Sequence, residues 1–159
     1  MRGSTIILAS LMLLAGCKGA GSSGSISESA AAKIAAEAEA SFTGGDSKAI
    51  MAHYAPGAVI FDPGTNAPSR DRAQQTKWTD ALIAMHPRNF DPGKRIVQPL
   101  DADTFISSGL SSIQIETSQG LQTVHLRYSD VFRKQADGKW LIVHEHNSAL
   151  PVMATVGTV

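Results

Sequence analysis

The hydrophobic pattern of this chain changes its period a little past the midpoint, and this change restricts the fold more than any other feature. Before residue 86, apolar residues recur mainly at the spacing of amphipathic helices, and after residue 94 they alternate as in strands. Helices followed by a run of strands are typical of an α+β domain. We therefore expect three N-terminal helices packed on one face of a strongly curved antiparallel sheet.

Capping signals place the predicted helices. Ser25 and Glu28 have the spacing of a capping box ahead of SAAAKIAAEAEASF, and Gly44–Gly45 would end that helix. Asp46 can cap a second, short helix, SKAIMAHY, and Ser69 can cap a third, RDRAQQTKWTDALIAM. The sequence therefore predicts two long helices with a short one between them.

The other apolar segments predict strands. Pro56–Gly57 would end the second helix, after which AVIF is predicted as a short buried strand that ends at Asp62. The segment HPRNFDPGK, with two prolines, is expected to be a loop. Four longer strands follow, with TSQG and QADG as hairpin turns: RIVQPL, TFISSGLSSIQIE, LQTVHLRYSDVFRK and KWLIVHEHNS.

Size and charge exclude some classes of protein. The chain has 159 residues, which suits one domain, and its formal net charge is zero. With no basic excess to neutralise phosphates, nucleic acid is not an expected partner. The chain has one cysteine, so no disulfide can form within it, and burial alone must stabilise the domain.

The N-terminus has the pattern of an export signal. Arg2 precedes the apolar run Ile6–Leu14, which is too short to span a membrane. Leu14-Ala15-Gly16-Cys17 resembles the bacterial lipobox, which implies cleavage before Cys17 and lipidation of that cysteine; simple secretion is the alternative. Lys18 in the next position implies a periplasm-facing protein of the outer membrane. The predicted organisation is a signal peptide at 1–16, a flexible tether at 17–25, a domain at 26–153 and a tail at 154–159.

Two stretches carry a resemblance to a known superfamily. GGDSKAIMAHYAPGAVIFDPG and DVFRKQADGKWLIVHEHNSALP together resemble nuclear transport factor 2-like proteins. That group includes ketosteroid isomerase, the SnoaL-like polyketide cyclases and the association domain of calcium/calmodulin-dependent kinase. The resemblance covers roughly Ser27 to Val152. It implies a cone with a pocket between sheet and helices, and a homodimer formed across the outer sheet face.

The isomerase pattern can be carried over residue by residue. Its general base ends the first strand just before a proline, where this chain has Asp62. Its protonated oxyanion-hole aspartate precedes x-Phe-Arg, where this chain has Asp130. The isomerase has an oxyanion-hole tyrosine in its first helix, but the corresponding residue here is Ala38, which cannot donate a hydrogen bond. The resemblance therefore implies acid–base chemistry and argues against steroid isomerisation.

Each aspartate also has a structural interpretation. The tetrapeptide FDPG occurs twice, and its aspartates, Asp62 and Asp91, could simply stabilise turns. Only Asp62 follows a strand, so Asp91 is predicted to be a solvated turn residue. Alternation places Asp130 on one face with Leu126, Tyr128 and Phe132. A carboxyl group on that face is either satisfied by a structural hydrogen bond or raised in pKa.

The segment HEHNS permits a metal site. His144 and His146 would lie on the same side of a strand and could reach one ion, but no third ligand is evident. Comparison with the isomerase instead places Val143, Glu145 and Asn147 in the pocket. We expect no metal and no cofactor.

The sequence thus supports an exported small-molecule protein. One hypothesis is a cofactor-independent isomerase, cyclase, dehydratase or lyase acting on a small apolar or aromatic substrate. The alternative is a non-catalytic ligand-binding or oligomerisation module of the cell envelope. The candidate catalytic residues are Asp62, Asp130 and His146. The candidate pocket residues are Tyr54, Trp78, Tyr128, Phe132, Glu145 and Asn147.

Overall fold

A computed structural model describes residues 24–150 of the chain. The predicted signal peptide, Cys17 and the tail at 154–159 therefore lie outside the described residues, as do most of the tether and the end of the predicted domain. Within 24–150, no helix has the length and apolar character that crossing a membrane requires.

Three α-helices form where the sequence predicts them. They are α1 (Glu28–Ala40), which a 3₁₀ turn extends to Thr43, α2 (Ser47–Met51) and α3 (Arg72–Ala84). Asp46 caps α2 as predicted, through a hydrogen bond from the Lys48 amide to its Oδ1. The other two caps differ from the prediction. Ser27, and not Ser25, caps α1, and Asp71, and not Ser69, caps α3.

Tertiary pairing explains the second of these differences. The backbone of Ser69 exchanges two hydrogen bonds with Ile60, which holds Ser69 in an extended bridge. Asp71 is free to turn into the helix, and its Oδ1 accepts from the Ala73 amide at 2.9 Å. The sequence offered two capping residues, and the contact with β1 decided between them.

Six strands form one curved, unclosed sheet. The order is β1-β6-β5-β4-β2, and β3 also pairs with β4. The pairings are antiparallel except that of β1 with β6, which is parallel, so the predicted antiparallel sheet is in fact mixed. The strands are β1 (Tyr54–Phe61), β2 (Arg88–Asp91), β3 (Arg95–Pro99), β4 (Thr104–Thr117), β5 (Gly120–Lys134) and β6 (Trp140–Ala149).

The strand β1 begins four residues earlier than predicted. Tyr54 pairs with Ile142 and Val59 with His144, so five steps along β1 match two along β6. Pro56–Gly57 lies in the resulting irregularity, with Gly57 at φ 75°, a conformation that favours glycine. The pair therefore bends a strand and does not end a helix.

The second FDPG tetrapeptide also lies partly in a strand. The first two residues of this tetrapeptide, Phe90 and Asp91, end the strand β2 (Arg88–Asp91), which was predicted as loop. Asp91 is exposed and its Oδ1 accepts from the Gly93 amide at 2.9 Å, which is the turn role that the sequence predicts.

Aromatic stacking fills the closed end of the fold. The rings of Phe105 and Phe132 stack with centroids 4.6 Å apart, and Trp140 packs on Phe105 at 5.2 Å. Phe132 was predicted to line the pocket, but this stacking places it in the core. Ala31, Ala35 and Ala38 form the buried face of α1 over this core; the Ala38 methyl group thus packs and does not bind.

Alternation on β5 agrees with the prediction, whereas β6 departs from it at one residue. Tyr128, Asp130 and Phe132 are all buried on the inner face. On β6 the register shifts next to Val143, because Val131 pairs with His144 and Phe132 with Ile142. Val143 is therefore the extra residue of a bulge. Ile142 takes the inward position that was predicted for Val143.

Candidate functional site

The inner sheet face and the helices enclose a cavity of about 490 Å³. Its walls are mainly apolar and include the rings of Phe42, Trp78 and Phe90, with Leu82 and Met85 beside them. Among the described residues that line it there is no lysine, arginine or histidine. The polar side chains in the wall are Glu39, Tyr54, Asp62, Thr65, Gln75, Thr79, Ser111, Tyr128, Asp130, Glu145 and Asn147.

Two carboxyl groups lie side by side in this cavity. Asp130 on β5 and Glu145 on β6 are direct partners in the antiparallel register, so their side chains project from the same face of the sheet. They are only 7% and 5% exposed, respectively. Like charges so placed in a poorly solvated site cannot both be ionised without a large cost.

Tyr54 contacts this pair from the neighbouring strand. Its hydroxyl group donates a hydrogen bond to Oε2 of Glu145. Burial, together with the charges of Glu145 and Asp130, raises the pKa of Tyr54 well above its usual value, so the phenol remains a donor. The parallel pairing of β1 with β6 brings these residues together although they are far apart in sequence.

The surroundings of the two carboxyl groups raise both pKa values. Burial raises the pKa of Glu145 to about 7; the hydrogen bond from Tyr54 opposes this rise and the charge of Asp62 adds to it. Burial also raises the pKa of Asp130 well above its usual value, with further contributions from Glu145 and Glu39. Among the described residues Oδ1 of Asp130 is enclosed and has no hydrogen-bond partner. The geometry therefore favours a neutral Asp130 beside a Glu145 that titrates near neutral pH.

Asp62 lies on the cavity wall where β1 ends. It is half-buried, and its Oδ1 accepts from the Gly64 amide at 2.8 Å. Its negative charge contributes to raising the pKa values of Glu145 and Tyr54, which places it electrostatically within the same cluster. Asp62 therefore stabilises a turn and also lines the cavity, so its two interpretations are compatible.

A partly buried ion pair, which was not predicted from the sequence, lies beside the cluster. Arg95 on β3 pairs with Oε2 of Glu39 on α1, and its Nε donates to the hydroxyl oxygen of Tyr128 at 3.4 Å. Gly109 lies on β4, between β3 and β5, and leaves room for the contact of Arg95 with Tyr128. A Cβ at this position would lie 3.0 Å from the Tyr128 hydroxyl oxygen and 2.6 Å from the Lys94 carbonyl oxygen. A charged residue on each of two amphipathic segments gives no local signal that the two meet.

Gln75 is a second polar residue of the cavity wall that was not predicted from the sequence. Its Nε2 donates to the carbonyl oxygens of Ala58 at 2.8 Å and Ser69 at 2.9 Å. These two acceptors fix the orientation of the amide, so Oε1 is the remaining atom. That oxygen is buried and has no partner among the described residues. A glutamine on the buried face of α3 was the available signal.

Most of the predicted site residues converge on the cavity. Asp62, Asp130, Tyr54, Trp78, Tyr128, Glu145 and Asn147 all line it. His146 does not, because it is exposed on the outer sheet face and its ring stacks on Phe61 at 5.1 Å. The ring of His144 also lies near Phe61, with the ring centroids 5.9 Å apart. Within residues 24–150, no three histidine, cysteine or acidic side chains are grouped so that they could hold a metal ion.

Comparisons with known proteins agree with this architecture. A family model described as a SnoaL-like domain matches residues 32–153. A structure from Xanthomonas campestris assigned to the association domain of calcium/calmodulin-dependent protein kinase II has a TM-score of 0.70 and 25% identity, over 81% of this chain and 96% of that chain. No curated protein matches the sequence at a significant level.

Two further structures share the fold. A ketosteroid isomerase-like protein from Erwinia carotovora atroseptica has a TM-score of 0.66 and 15% identity, over 78% of this chain and 96% of that chain. The epoxide hydrolase/cyclase-like enzyme SalBIII, described as acting in pyran ring formation in the polyether salinomycin, has a TM-score of 0.58 and 20% identity, over 77% of this chain and 92% of that chain. At these identities the likeness concerns the fold alone.

The raised pKa of Glu145 predicts a pH dependence of stability. The folded protein holds a proton on Glu145 up to about pH 7, whereas the unfolded chain loses it near the ordinary glutamate pKa of 4.5. The free energy of unfolding contributed by this group therefore falls as pH rises from about 4.5 to 7. We expect Glu145→Gln to be more stable than the wild type above pH 7 by on the order of 2 kcal/mol, and to lose this advantage below pH 5.

Urea unfolding of both proteins at several pH values measures this difference. Glu37→Gln, which alters an exposed glutamate of α1, is the matched control and should show no such trend. A difference between Glu145→Gln and the wild type that does not change with pH would contradict the assignment.

Proposed function

The chain belongs to the SnoaL-like domain family, and we propose that it is a cofactor-independent acid–base enzyme. Its reaction would be an isomerisation, cyclisation, dehydration or elimination on a small apolar or aromatic molecule. The observation that carries this proposal is the pair of carboxyl groups, Asp130 and Glu145, side by side in an apolar cavity. General acids and bases work best when their pKa lies near the working pH, as that of Glu145 does.

Asp62 is the proposed general base. It lies on the cavity wall, and its part exposure and its hydrogen bond from Gly64 are compatible with an ionised carboxylate. Removing a proton from a substrate requires a charged carboxylate, and Asp62 is the least buried acid of the cluster.

Asp130 is the proposed proton or hydrogen-bond donor. It is buried, lacks a partner on Oδ1 and has a raised pKa, so it can supply a proton to the substrate atom that gains electron density. Glu145, which accepts a hydrogen bond from Tyr54, replaces His146 as the third proposed catalytic residue. The pocket thus contains a base and an acid whose surroundings differ, which is the arrangement that acid–base catalysis needs.

A general probe of base catalysis can test this chemistry without knowledge of the natural substrate. 5-Nitrobenzisoxazole opens in one step when a base removes its ring proton, which releases a coloured phenolate. We expect the protein to accelerate this reaction at neutral pH, and Asp62→Asn to lower kcat/KM by about a hundredfold or more, as removal of a general base does.

The second FDPG tetrapeptide supplies the matched control. Asp91→Asn alters an exposed aspartate in the same local sequence and should leave kcat/KM unchanged. His146→Ala should also have no effect, because His146 lies on the outer face. If the probe binds but turns over no faster than with Asp62→Asn, the pocket is a ligand-binding module and not an enzyme.

We also propose that the protein is a homodimer formed across its outer sheet face. Ile96 and Leu110 lie on that face and are 66% and 53% exposed. Exposed apolar side chains on one sheet face are typical of protein interfaces. The likeness to a kinase association domain supports this proposal.

Sedimentation velocity tests the homodimer. The wild-type domain should sediment as a dimer at micromolar concentration, and Ile96→Glu should shift it to monomer by placing a charge in the interface. Leu100→Glu, at a leucine that lies just outside β3 and is 51% exposed, is the control and should remain dimeric. A monomeric wild type would end this proposal.

The predicted N-terminus leads to a proposed location. The sequence before residue 24 has the pattern of a lipoprotein signal with Cys17 as its lipidated residue. A periplasm-facing position at the outer membrane would follow, with residues 17–25 as a tether.

Metabolic labelling with a fatty acid tests the lipid anchor. A bacterial host should incorporate the label into the full chain, and Cys17→Ser should abolish it because Cys17 is the only cysteine. Ser22→Ala, in the same segment, should be labelled like the wild type. Equal labelling of the Cys17→Ser chain would refute lipidation at this residue.

A further inference from the structure

The charges around the cavity do not balance. Within residues 24–150, four carboxyl groups and no basic side chain line it. Arg95 is already paired with Glu39. Arg72, on α3, directs its guanidinium group to the carbonyl oxygens of Met51 and Tyr54 and is not part of the wall. Among the described residues, Asp62, Asp130 and Glu145 therefore form no ion pair with a basic side chain.

Within the described part of the chain, the cavity wall also lacks hydrogen-bond donors for some of its buried oxygen atoms. Oε1 of Gln75 is buried and unpartnered, and the amide cannot turn to present a donor because Nε2 is held by two carbonyl oxygens. Gln75 is only 1% exposed and lines the cavity. Oδ1 of Asp130 is likewise without a partner. Among the described residues, Oε1 of Gln75 can only accept a hydrogen bond, and the proton that Asp130 holds can pass to a basic ligand atom, so a complementary ligand brings a donor or a base.

The sign of the charge that a ligand develops therefore decides whether this cavity stabilises it. A carbonyl substrate that loses a proton becomes an enolate, to which Asp130 can donate but whose negative charge an ionised Glu145 would repel. A basic nitrogen that gains a proton becomes a cation, which the same carboxyl groups stabilise. The isomerase pattern supplies a tyrosine donor in the first helix, whereas this chain has Ala38 there and the additional acid Glu145 in the cavity.

We propose that the ligand of this cavity is a small apolar or aromatic molecule that carries one basic nitrogen, an amine or an imine, held as a cation against Asp130 and Glu145. The inference rests on the proposed function in taking this cavity as the ligand site. When a neutral nitrogen base enters, an N–H bond forms and the O–H bond of Asp130 breaks, with no other bond changed. The cation then faces the resulting carboxylate.

The cavity wall suits the rest of such a ligand. The rings of Phe42 and Phe90 lie 5.9 Å apart on one part of the wall, and Trp78 on α3 contributes a third ring. Aromatic faces attract both apolar groups and cations. The volume of about 490 Å³ accommodates a one- or two-ring molecule.

A pair of matched probes tests the charge preference. 2-Naphthylmethylamine and 2-naphthylmethanol share their ring system and differ in the group that would meet the acids. By calorimetry at about pH 8, the amine should bind the wild-type protein at least about tenfold more tightly than the alcohol. This preference should shrink as the pH falls to about 5.5, because Glu145 gains a proton while the amine remains protonated.

Isosteric variants identify the residues responsible. Glu145→Gln and Asp130→Asn each replace an ionisable carboxyl group by an uncharged amide of the same shape, and each should lower the preference for the amine several-fold. Glu37→Gln, on the exposed side of α1, should leave it unchanged. Either variant alone suffices if the other does not fold.

The outcomes separate this inference from the proposed enzyme activity. Failure of the amine to bind, equal affinity for amine and alcohol, or a preference that persists in both isosteric variants would overturn the inference. If the benzisoxazole reaction still depends on Asp62 in that case, the acid–base enzyme remains and only the nitrogen class is wrong. If the amine binds selectively but no turnover occurs, the inference holds and the catalytic proposal fails.

Discussion

The direct pairing of Asp130 with Glu145 across β5 and β6 is the constraint on which the rest of the site depends. An antiparallel ladder places paired side chains on one face at close range, so two carboxyl groups must share one poorly solvated space. Burial raises both pKa values, and the charge of Glu145 adds to the rise at Asp130, as the charge of Asp62 does at Glu145. The hydrogen bond from Tyr54 offsets part of this cost at Glu145, and nothing within the described residues does so at Oδ1 of Asp130.

The cavity is therefore polar at one region and apolar elsewhere, in a way that limits its chemistry. The ion pair of Glu39 with Arg95 uses the nearby positive charge and ties α1 to the sheet. What remains is an acid-rich, donor-poor surface beneath aromatic rings. The additional acid Glu145, and Ala38 in place of the helix tyrosine, separate the chain from the isomerase pattern, although the fold and two aspartate positions are shared with it.

Much of this could be predicted from particular residues. Alternation along LQTVHLRYSDVFRK correctly placed Tyr128 and Asp130 inward, and the change of period correctly gave three helices before the strands. The errors came from long-range contacts. The bulge at Val143 moved Ile142 inward, the stacking of Phe105 drew Phe132 into the core, and the bridge to Ile60 moved the α3 cap from Ser69 to Asp71.

The sequence by itself determined the α+β class, the inward face of β5 and the family resemblance, because helical and strand periodicity are local properties of the chain. Only the tertiary structure decided that Glu145 joins Asp130, that Tyr54 donates to it, and that His146 faces outward on Phe61. The antiparallel pairing of β5 with β6 fixes the first of these neighbours, and the parallel pairing of β1 with β6 fixes the other two. Tyr54 and Glu145 are about ninety positions apart, a separation that no local pattern records.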